Sequence, residues 1–194
     1  GGCECACAES GPESGRRWWW WRRRRCWRRR RRRHAARAPM SAVWQDYINS
    51  QLVATNNIDQ ALMCGKQDAA VWGCTPEFLP RIYEGMVTQD DGTEANTTIN
   101  EAVILTKIAQ TLRKPPEGLR VNGVKYMVVR TYPNGSADDG LATIYFKKPQ
   151  GGGCLCVTNL SVIVATFDES KGQNASQCNF AVEALGRYLY SSGY

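Results

Sequence analysis

Hydrophobic and polar residues recur with helical spacing near both ends of the region that follows residue 40. The first apolar stripe consists of Trp44, Tyr47, Ile48 and Leu52. The second stripe consists of Cys178, Ala181, Val182, Leu185, Tyr188 and Leu189. Residues three, four or eight positions apart lie on one face of a helix, so the pattern predicts an amphipathic helix at each end of this region.

Short apolar runs between these helices predict mostly β-strands. The runs are IDQALMC, AAVWGC, LRVNGVKYMVVRTY, GLATIYFKK and CLCVTNLSVIVATF. Within the third run, Asn122-Gly123 favours a tight hairpin. We interpret Gly151-Gly152-Gly153 as a flexible connection between the last two runs.

The middle of the region combines turn residues with one further helix. TPEFLPRIYEGM contains two prolines and predicts a turn and a short helix, and the polar TQDDGTEANTT predicts a loop. TINEAVILTKIAQTL predicts a helix in which Thr98 and Glu101 form a capping box. Its expected buried stripe is Val103, Ile104, Ile108 and Leu112. Helices that enclose hairpin-linked strands predict an α+β domain around one antiparallel sheet.

The charge of the chain is unevenly distributed. The whole chain has a formal net charge of +7, which suggests an acidic partner such as nucleic acid or an anionic membrane. Residues 1–39 contain 13 of the 25 basic and 3 of the 18 acidic residues, a net charge of +10. Residues 40–194 contain the other 12 basic and 15 acidic residues, a net charge of −3. The basic signal therefore comes from the first 39 residues alone.

These first residues include the run RRWWWWRRRRCWRRRRRR. Their apolar residues do not recur with the period of a helix or a strand, so neither element could bury one face there. Because the chain begins without Met and a predicted helix follows Met40, we interpret residues 1–39 as a disordered extension that is foreign to the natural protein or dispensable. The alternative is a functional arm whose Arg residues contact phosphates and whose Trp residues stack on bases or enter a membrane surface. A zinc site in this segment is not expected, because its possible ligands do not have the spacing of a structural zinc site. These residues are Cys3, Cys5, Cys7, Cys26 and His34.

Residues 40–194 lack the motifs of common enzyme active sites. They contain no His, no HExxH, no phosphate-binding Gly-Lys-Ser/Thr loop, no GxGxxG and no GxSxG. Asp90-Asp91 and Asp138-Asp139 lie in polar loops, and we interpret them as solvated turn residues. We therefore expect a binding protein without catalytic residues, metal ligands or cofactors.

The nine cysteines are scattered along the chain without metal-ligand spacing. An odd number of such cysteines is typical of a reduced intracellular protein rather than a disulfide framework. Cys154 and Cys156 lie two positions apart on a predicted strand, so both sulfurs point to one face, and we interpret them as core residues.

Four stretches of residues 40–194 resemble the profilins, a family of small proteins that bind actin monomers. They are WQDYINSQL, VKYMVVR at 124–130, FKKP at 146–149 and QCNFAVEALGRYLYSSGY. KYMV followed by QCN and then by LG-x-YL-x-x-x-GY is specific to that family. The resemblance implies a central antiparallel sheet with the N- and C-terminal helices side by side on one face and shorter helices on the other.

The resemblance also implies two binding surfaces. The groove for proline-rich peptides would contain Trp44, Tyr47, Trp72, Tyr188, Leu189 and Tyr194. The surface for actin would contain Lys125, Val128, Val129, Arg130, Lys147, Lys148, Asn179 and Glu183. The basic residues of the second surface are also candidates for contacts with phosphoinositide lipids.

A protein of this family would be a cytoplasmic monomer of the actin cytoskeleton. It would bind monomeric actin and proline-rich proteins such as formins, and we expect no nucleic-acid partner. Two alternatives remain open, namely nucleic-acid or membrane binding through the extension, and an interaction module that has kept peptide binding but lost actin. The sequence departs from the family pattern at Ala69, where glycine is expected, and in the long segment TQDDGTEANTT.

Overall fold

The computed structural model describes residues 41–88, 92–135, 137 and 139–194. The helices are α1, Ser41–Tyr47; α2, Glu101–Thr111; and α3, Ala175–Ser191. A π-helical turn, Ile48–Leu52, and a 3-10 turn, Val53–Thr55, continue α1, and a 3-10 turn, Glu169–Lys171, precedes α3. The strands are β1, Gln60–Gly65; β2, Val71–Cys74; β3, Ile82–Thr88; β4, Glu94–Asn100; β5, Leu119–Val121; β6, Val124–Tyr132; β7, Ala142–Lys148; β8, Gly151–Val157; and β9, Ser161–Asp168.

One antiparallel sheet of seven strands forms the centre of the domain, in the order β2-β1-β9-β8-β7-β6-β5. The stripes of α1 and α3 pack on one face of this sheet, and α2 packs on the other face together with the hairpin β3–β4. This arrangement confirms the predicted α+β fold, with the two terminal helices on the same face. Residues 1–39, for which we considered a functional arm, a zinc site and a disordered extension, lie outside the described residues. The same holds for Asp90, Asp91 and Asp138.

Close approach to the sheet fixes the position of α3. Asn174 caps this helix, since its side-chain oxygen accepts a hydrogen bond from Gln177 N at 2.9 Å. A Cβ atom at Gly186 would lie 2.9 Å from a methyl carbon of Leu141 and 3.3 Å from Cys156 Cβ. Glycine at this position therefore lets the helix pack directly against the strands.

The buried cysteines confirm the prediction that Cys154 and Cys156 are core residues. Both thiols are fully buried beneath α3, with their sulfurs 3.9 Å apart, and Cys178 of the helix lies in the same cluster. Burial raises the pKa of Cys178 to about 12, so this thiol stays protonated and unreactive at neutral pH.

Residues 82–100 differ from the prediction. We expected a short helix and then a loop, but β3 and β4 pair along their whole length as an antiparallel hairpin. Tyr83 and Val87 pack toward the core, whereas Ile82 and Met86 on the opposite face are exposed. Apolar residues on both faces hide the period of two that usually identifies a strand.

The start of α2 also differs from the prediction. Asn100 caps the helix by accepting a hydrogen bond from Val103 N at 3.3 Å, whereas Thr98 lies in β4 and donates to the Glu84 carboxylate. Ile104 and Ile108 are buried as expected, but Val103 is exposed.

Fully buried Glu101 joins three segments of the chain. Its carboxylate accepts hydrogen bonds from Arg81 N at 2.9 Å, from Gly123 N at 2.7 Å and from the Tyr83 hydroxyl at 3.4 Å. These donors belong to the start of the β3–β4 hairpin and to the β5–β6 turn. Glu101 therefore acts as a structural acceptor rather than as part of a capping box.

Two turns involve residues with positive φ. Asn122 and Gly123 have φ values of 54° and 81° and form the expected hairpin between β5 and β6. Ala69, which stands where the family pattern has glycine, also has a positive φ of 49°. The turn before β2 therefore keeps a left-handed residue although the side chain makes it less favourable.

The three glycines at 151–153 are buried in β8 and do not form a loop, contrary to our expectation. A Cβ atom at Gly152 would lie 3.1 Å from the Phe167 ring, and one at Gly153 would lie 2.6 Å from the Phe146 ring. The strand can therefore lie against these rings only because it has no side chains there. The β7–β8 connection consists of Pro149 and Gln150.

Among the described residues, no helix is long and apolar enough to cross a membrane. The same residues contain no group of three or more His, Cys, Asp or Glu side chains arranged to hold a metal ion.

Candidate functional site

Five aromatic side chains from α1, β2 and the end of the α3 region meet on one surface. We call this set the aromatic cluster: Trp44, Tyr47, Trp72, Tyr188 and Tyr194. The ring centroid of Trp44 lies 4.9 Å from that of Trp72 and 5.0 Å from that of Tyr194. Tyr47 lies 5.7 Å from Trp44 and 6.0 Å from Tyr188. These separations are typical of favourable aromatic pairs.

Hydrogen bonds outside the rings hold the contributing segments in place. The Gln45 side chain donates to Cys74 O at 2.8 Å and accepts from Cys74 N at 3.2 Å, which ties α1 to β2. Tyr194 N donates to Leu189 O at 3.0 Å, and Tyr194 O accepts from Asn159 N at 2.9 Å. The backbone of Tyr194 is therefore fixed to α3 and to the β8–β9 turn.

The members of the cluster differ in exposure. Trp44 is only 4 % exposed and supports the other rings from below, whereas Tyr188 is 52 % exposed. Leu189, which the resemblance placed in the groove, is 1 % exposed and packs in the core beneath the cluster. A ligand would therefore meet mainly the rings of Tyr47, Trp72, Tyr188 and Tyr194.

The hydroxyl groups of Tyr47 and Tyr188 lie 3.3 Å apart. This hydrogen bond, together with the charge that Tyr188 would carry, raises the pKa of Tyr47 above its ordinary value. One of the two hydroxyls donates to the other, so the pair leaves one O–H free to donate a hydrogen bond to a carbonyl group.

The second predicted surface lies on β6 and β7. Lys125, Val129, Arg130 and Lys147 are exposed there, and Val128 and Lys148 are half-buried. The pairing register of β6 with β7 shifts between Val128 and Arg130, which leaves Val129 as a bulge residue.

A depression of about 650 Å³ lies at the end of this surface. Four of its lining residues are lysines: Lys114, Lys125, Lys147 and Lys148. The Lys148 ammonium lies 5.9 Å from the centre of the Tyr126 ring, within the range of a cation–π contact. Sequence reasoning did not assign Lys114 or the exposed Met127 to this surface. Lys114 lies outside the four stretches that resemble profilins, and Met127 lies within one of them but was not among the positions implied by the resemblance.

Glu183 and Asn179, which we assigned to the same surface, lie at α3. Glu183 is 6 % exposed, and its carboxylate accepts hydrogen bonds from the Tyr145 hydroxyl and, at 2.9 Å, from Arg187 Nη2. Glu183 therefore belongs to an internal network between α3 and β7. Asn179 is half-buried, and its side-chain oxygen has no hydrogen-bond partner among the described residues.

Arg187 extends this network to Asp139, with which it forms an ion pair. We expected a solvated turn residue at this position. Burial alone would raise the pKa of Asp139, but hydrogen bonds from Arg187 and Leu141 N and the charge of Arg187 lower it below the ordinary value. Asp139 thus connects the loop before β7 to α3.

Comparison with known proteins places this fold in a family. The family model described as Profilin matches residues 42–194. Profilin of Tetrahymena pyriformis is 29% identical over 160 residues, which cover 78% of this chain and 98% of that protein.

Solved profilin structures share the fold at low sequence identity. Acanthamoeba castellanii profilin II has a TM-score of 0.56 and 19% identity, with 78% of this chain and 99% of that chain covered. Mouse profilin IIa, solved in complex with a double repeat from the FH1 domain of mDia1, has a TM-score of 0.54 and 20% identity, with the same coverage.

The family match spans nearly all of the described residues, and the element order and sheet agree with the resemblance seen in the sequence. The chain therefore belongs to the profilin family, whose members are non-enzymatic, cytoplasmic proteins of the actin cytoskeleton that bind monomeric actin and proline-rich ligands and regulate actin polymerisation.

Proposed function

We propose that this profilin binds proline-rich peptides through the aromatic cluster and an actin monomer through the exposed face of β6 and β7. The observation that carries the peptide-binding role is the meeting of five aromatic rings from α1, β2 and the end of the α3 region. Aromatic groups assembled in this way from distant segments form a platform on which an apolar ligand can pack.

The cluster is suited to a polyproline II helix. Such a ligand is extended and rigid before it binds, so docking costs little conformational entropy. The flat rings of Trp72, Tyr188 and Tyr194 complement the ridged surface of proline. The indole N–H of Trp72 and the tyrosine hydroxyls can donate to the carbonyl groups, which a polyproline helix leaves without internal hydrogen bonds.

Fluorescence anisotropy of a dye-labelled decaproline peptide, titrated with the full chain, tests this site. We expect Tyr188→Ala to weaken binding roughly tenfold, because aromatic residues at the centre of an interface carry much of its binding energy. Tyr190→Ala is the matched control, since Tyr190 is on the same helix, is 38 % exposed and lies beside Gly140 outside the cluster.

Circular dichroism establishes that both variants are folded. Equal affinities of Tyr188→Ala and the wild type would contradict the assignment of the site. An equal loss in Tyr188→Ala and Tyr190→Ala would also contradict it, because the effect would then not be specific to the cluster.

The exposed face of β6 and β7 combines apolar and basic side chains. Met127 and Val129 are exposed apolar residues, and Arg130 and Lys147 supply positive charge next to them. Apolar contact provides affinity, and the positive charge steers encounter with an acidic partner such as actin.

A charge-reversal variant, Arg130→Glu/Lys147→Glu, tests the actin surface. We expect its affinity for labelled monomeric actin to fall at least roughly tenfold, with a larger loss at low salt than at high salt, because screening weakens the charge contribution. Arg81→Glu is the control, since Arg81 is an exposed cation at the β3–β4 hairpin. Unchanged actin affinity in the double variant would contradict the assignment of this surface. Absence of actin binding by the wild type, with peptide binding retained, would instead support a module that has lost actin.

The four lysines at the depression support a phosphoinositide site on the same face. We infer that an anionic headgroup and actin compete for this surface, because Lys125, Lys147 and Lys148 belong to both. Vesicles with and without phosphatidylinositol bisphosphate, co-sedimented with wild type and Lys114→Ala/Lys148→Ala, measure this binding. Equal sedimentation with the two kinds of vesicle would contradict it.

A further inference from the structure

Asparagine followed by glycine occurs twice in the sequence, at Asn122-Gly123 and at Asn134-Gly135. Such a pair is chemically labile, because the backbone nitrogen of the glycine can attack the side-chain carbonyl carbon of the asparagine and expel ammonia. Glycine favours this attack, since it has no side chain to obstruct the approach and its backbone reaches conformations that other residues avoid. The structure gives the two pairs opposite environments.

The fold protects Asn122-Gly123 from this reaction. Both residues are fixed with positive φ in the hairpin between β5 and β6. Gly123 N donates a hydrogen bond to the buried Glu101 carboxylate at 2.7 Å, and the side-chain oxygen of Asn122 is itself buried. An amide that donates to a carboxylate holds its proton firmly, because loss of that proton would place two negative charges together. Gly123 N is therefore a poor nucleophile.

Asn134-Gly135 lies in the connection between β6 and β7 and lacks this protection. Asn134 is exposed, and no hydrogen bond holds its side chain to another described residue. Gly135 N donates only a long hydrogen bond, of 3.3 Å, to the backbone oxygen of Tyr132. The side-chain carbonyl carbon and the attacking nitrogen are thus both accessible and weakly restrained.

A carboxylate also lies beside Gly135, but it does not hold the amide proton. The Asp139 carboxylate occupies the space that a Cβ atom at Gly135 would take. Its oxygens accept hydrogen bonds from Leu141 N at 3.1 Å and from Arg187, and the Arg187 guanidinium neutralises its charge. The same contact, together with a φ of 89°, requires glycine at position 135. The fold therefore keeps the labile pair in place.

We propose that Asn134 is a site of spontaneous modification, at which deamidation through a cyclic succinimide yields aspartate and isoaspartate. Gly135 N loses its proton and forms a bond to Asn134 Cγ, and the Cγ–Nδ2 bond breaks to release ammonia. One water molecule then opens the ring at either carbonyl carbon, so asparagine and water become a carboxylate and ammonium. Opening at the backbone carbonyl gives isoaspartate, in which the chain continues through the former side chain.

The products change the connection that Asp139 and Arg187 tie to α3. Both products add a negative charge there, and isoaspartate also lengthens the backbone by one carbon. Pro133 and Asn134 are exposed, so the free α-carboxylate of isoaspartate is accessible to an enzyme. The partner that fits this group is a methyltransferase that methylates it with S-adenosylmethionine, after which the ester re-forms the succinimide and releases methanol.

Peptide mapping of the full chain, after prolonged incubation at neutral pH in heavy-oxygen water, tests this site. Trypsin separates the two pairs, because it cleaves after Lys125 and Arg130. Solvent oxygen enters only product that forms during the incubation, so deamidation during the later digestion in ordinary water is not counted. The chain in guanidinium chloride is the control for intrinsic reactivity. Asn134→Gln is the matched variant, because Gln must close a larger ring that forms more slowly.

We expect Asn134 of the folded chain to deamidate at least roughly tenfold faster than Asn122, which must first open locally, and the two rates to agree within about threefold in the denatured chain. Equal rates in the folded chain overturn the proposal, as does an unmodified Asn134 after an incubation that converts the denatured chain. A protein-isoaspartate methyltransferase with labelled S-adenosylmethionine should label the incubated wild type more than Asn134→Gln. Equal labelling of the two overturns the isoaspartyl product at Asn134.

Discussion

Glu101 offers a direct test of how the two layers of the fold are joined. Replacing it with Ala leaves the amides of Arg81 and Gly123 without their acceptor in a fully buried position. Hydrogen bonds to a charged group contribute about 1.5–3 kcal/mol each. The two short bonds together therefore predict a loss of about 3–6 kcal/mol in the free energy of unfolding.

Glu101→Gln should also destabilise the protein, although its shape is nearly the same. The Gln side chain keeps one acceptor oxygen, but its amide nitrogen then faces either Arg81 N or Gly123 N, so a donor meets a donor. We expect an intermediate loss, smaller than that of Glu101→Ala.

Urea denaturation of the full chain, followed by circular dichroism, measures these changes. Glu84→Ala is the control, because the Glu84 carboxylate makes an exposed hydrogen bond to Thr98 in the same hairpin, and we expect a change below about 0.5 kcal/mol. Hydrogen exchange provides a local measure, since the amides of Arg81 and Gly123 should lose protection in Glu101→Ala. A loss of stability no larger than that of Glu84→Ala would refute this reasoning.

Two further predictions concern titratable groups. Iodoacetamide should label half-buried Cys74 before Cys64 and Cys178, since burial raises the pKa of the Cys64 and Cys178 thiols to about 12. Peptide mapping by mass spectrometry checks this order, and early labelling of Cys178 would contradict it. In the folded state the pKa of Asp139 is lowered despite partial burial, mainly by the hydrogen bond that it accepts from Arg187. The Asp139–Arg187 ion pair therefore stabilises the fold above about pH 4, and this stabilisation is lost as the pH falls through the folded pKa. Asp139→Asn should therefore lower the free energy of unfolding at pH 7 and reduce its decline between pH 5 and pH 2 in urea titrations; an unchanged decline would contradict this.

The terminal helices and the central hairpins were predictable because their residues face either core or solvent. The stripe of α1 buries Ile48 and Leu52, and that of α3 buries Val182 and Leu185, so the apolar spacing corresponds directly to burial. Asn122-Gly123 was equally informative, since few other residue pairs adopt two positive φ values in succession.

The hairpin β3–β4 and the start of β8 were not predictable from hydrophobic period. Exposed Ile82 and Met86 give β3 an apolar residue on its solvent face, and glycines at 151–153 have no side chain to show a pattern. The reason for the glycines is a tertiary contact with Phe146 and Phe167, which the local sequence does not contain.

Resemblance identified the aromatic residues, but it did not indicate their depth. Leu189 and Glu183 fall at family positions and yet are buried here, because packing of α3 against the sheet sets which side of the helix remains exposed.

The aromatic cluster has a consequence for biosynthesis. The hydroxyls of Tyr47 and Tyr188 meet across a sequence separation of 141 residues. At a translation rate of about 5–20 residues per second, roughly 7 to 28 seconds pass between the synthesis of these two residues. Throughout that interval the apolar face of α1 has no partner helix, so a nascent chain presents Trp44 and Ile48 to chaperones before it can present a groove to any ligand. Ligand binding therefore distinguishes finished molecules from incomplete ones.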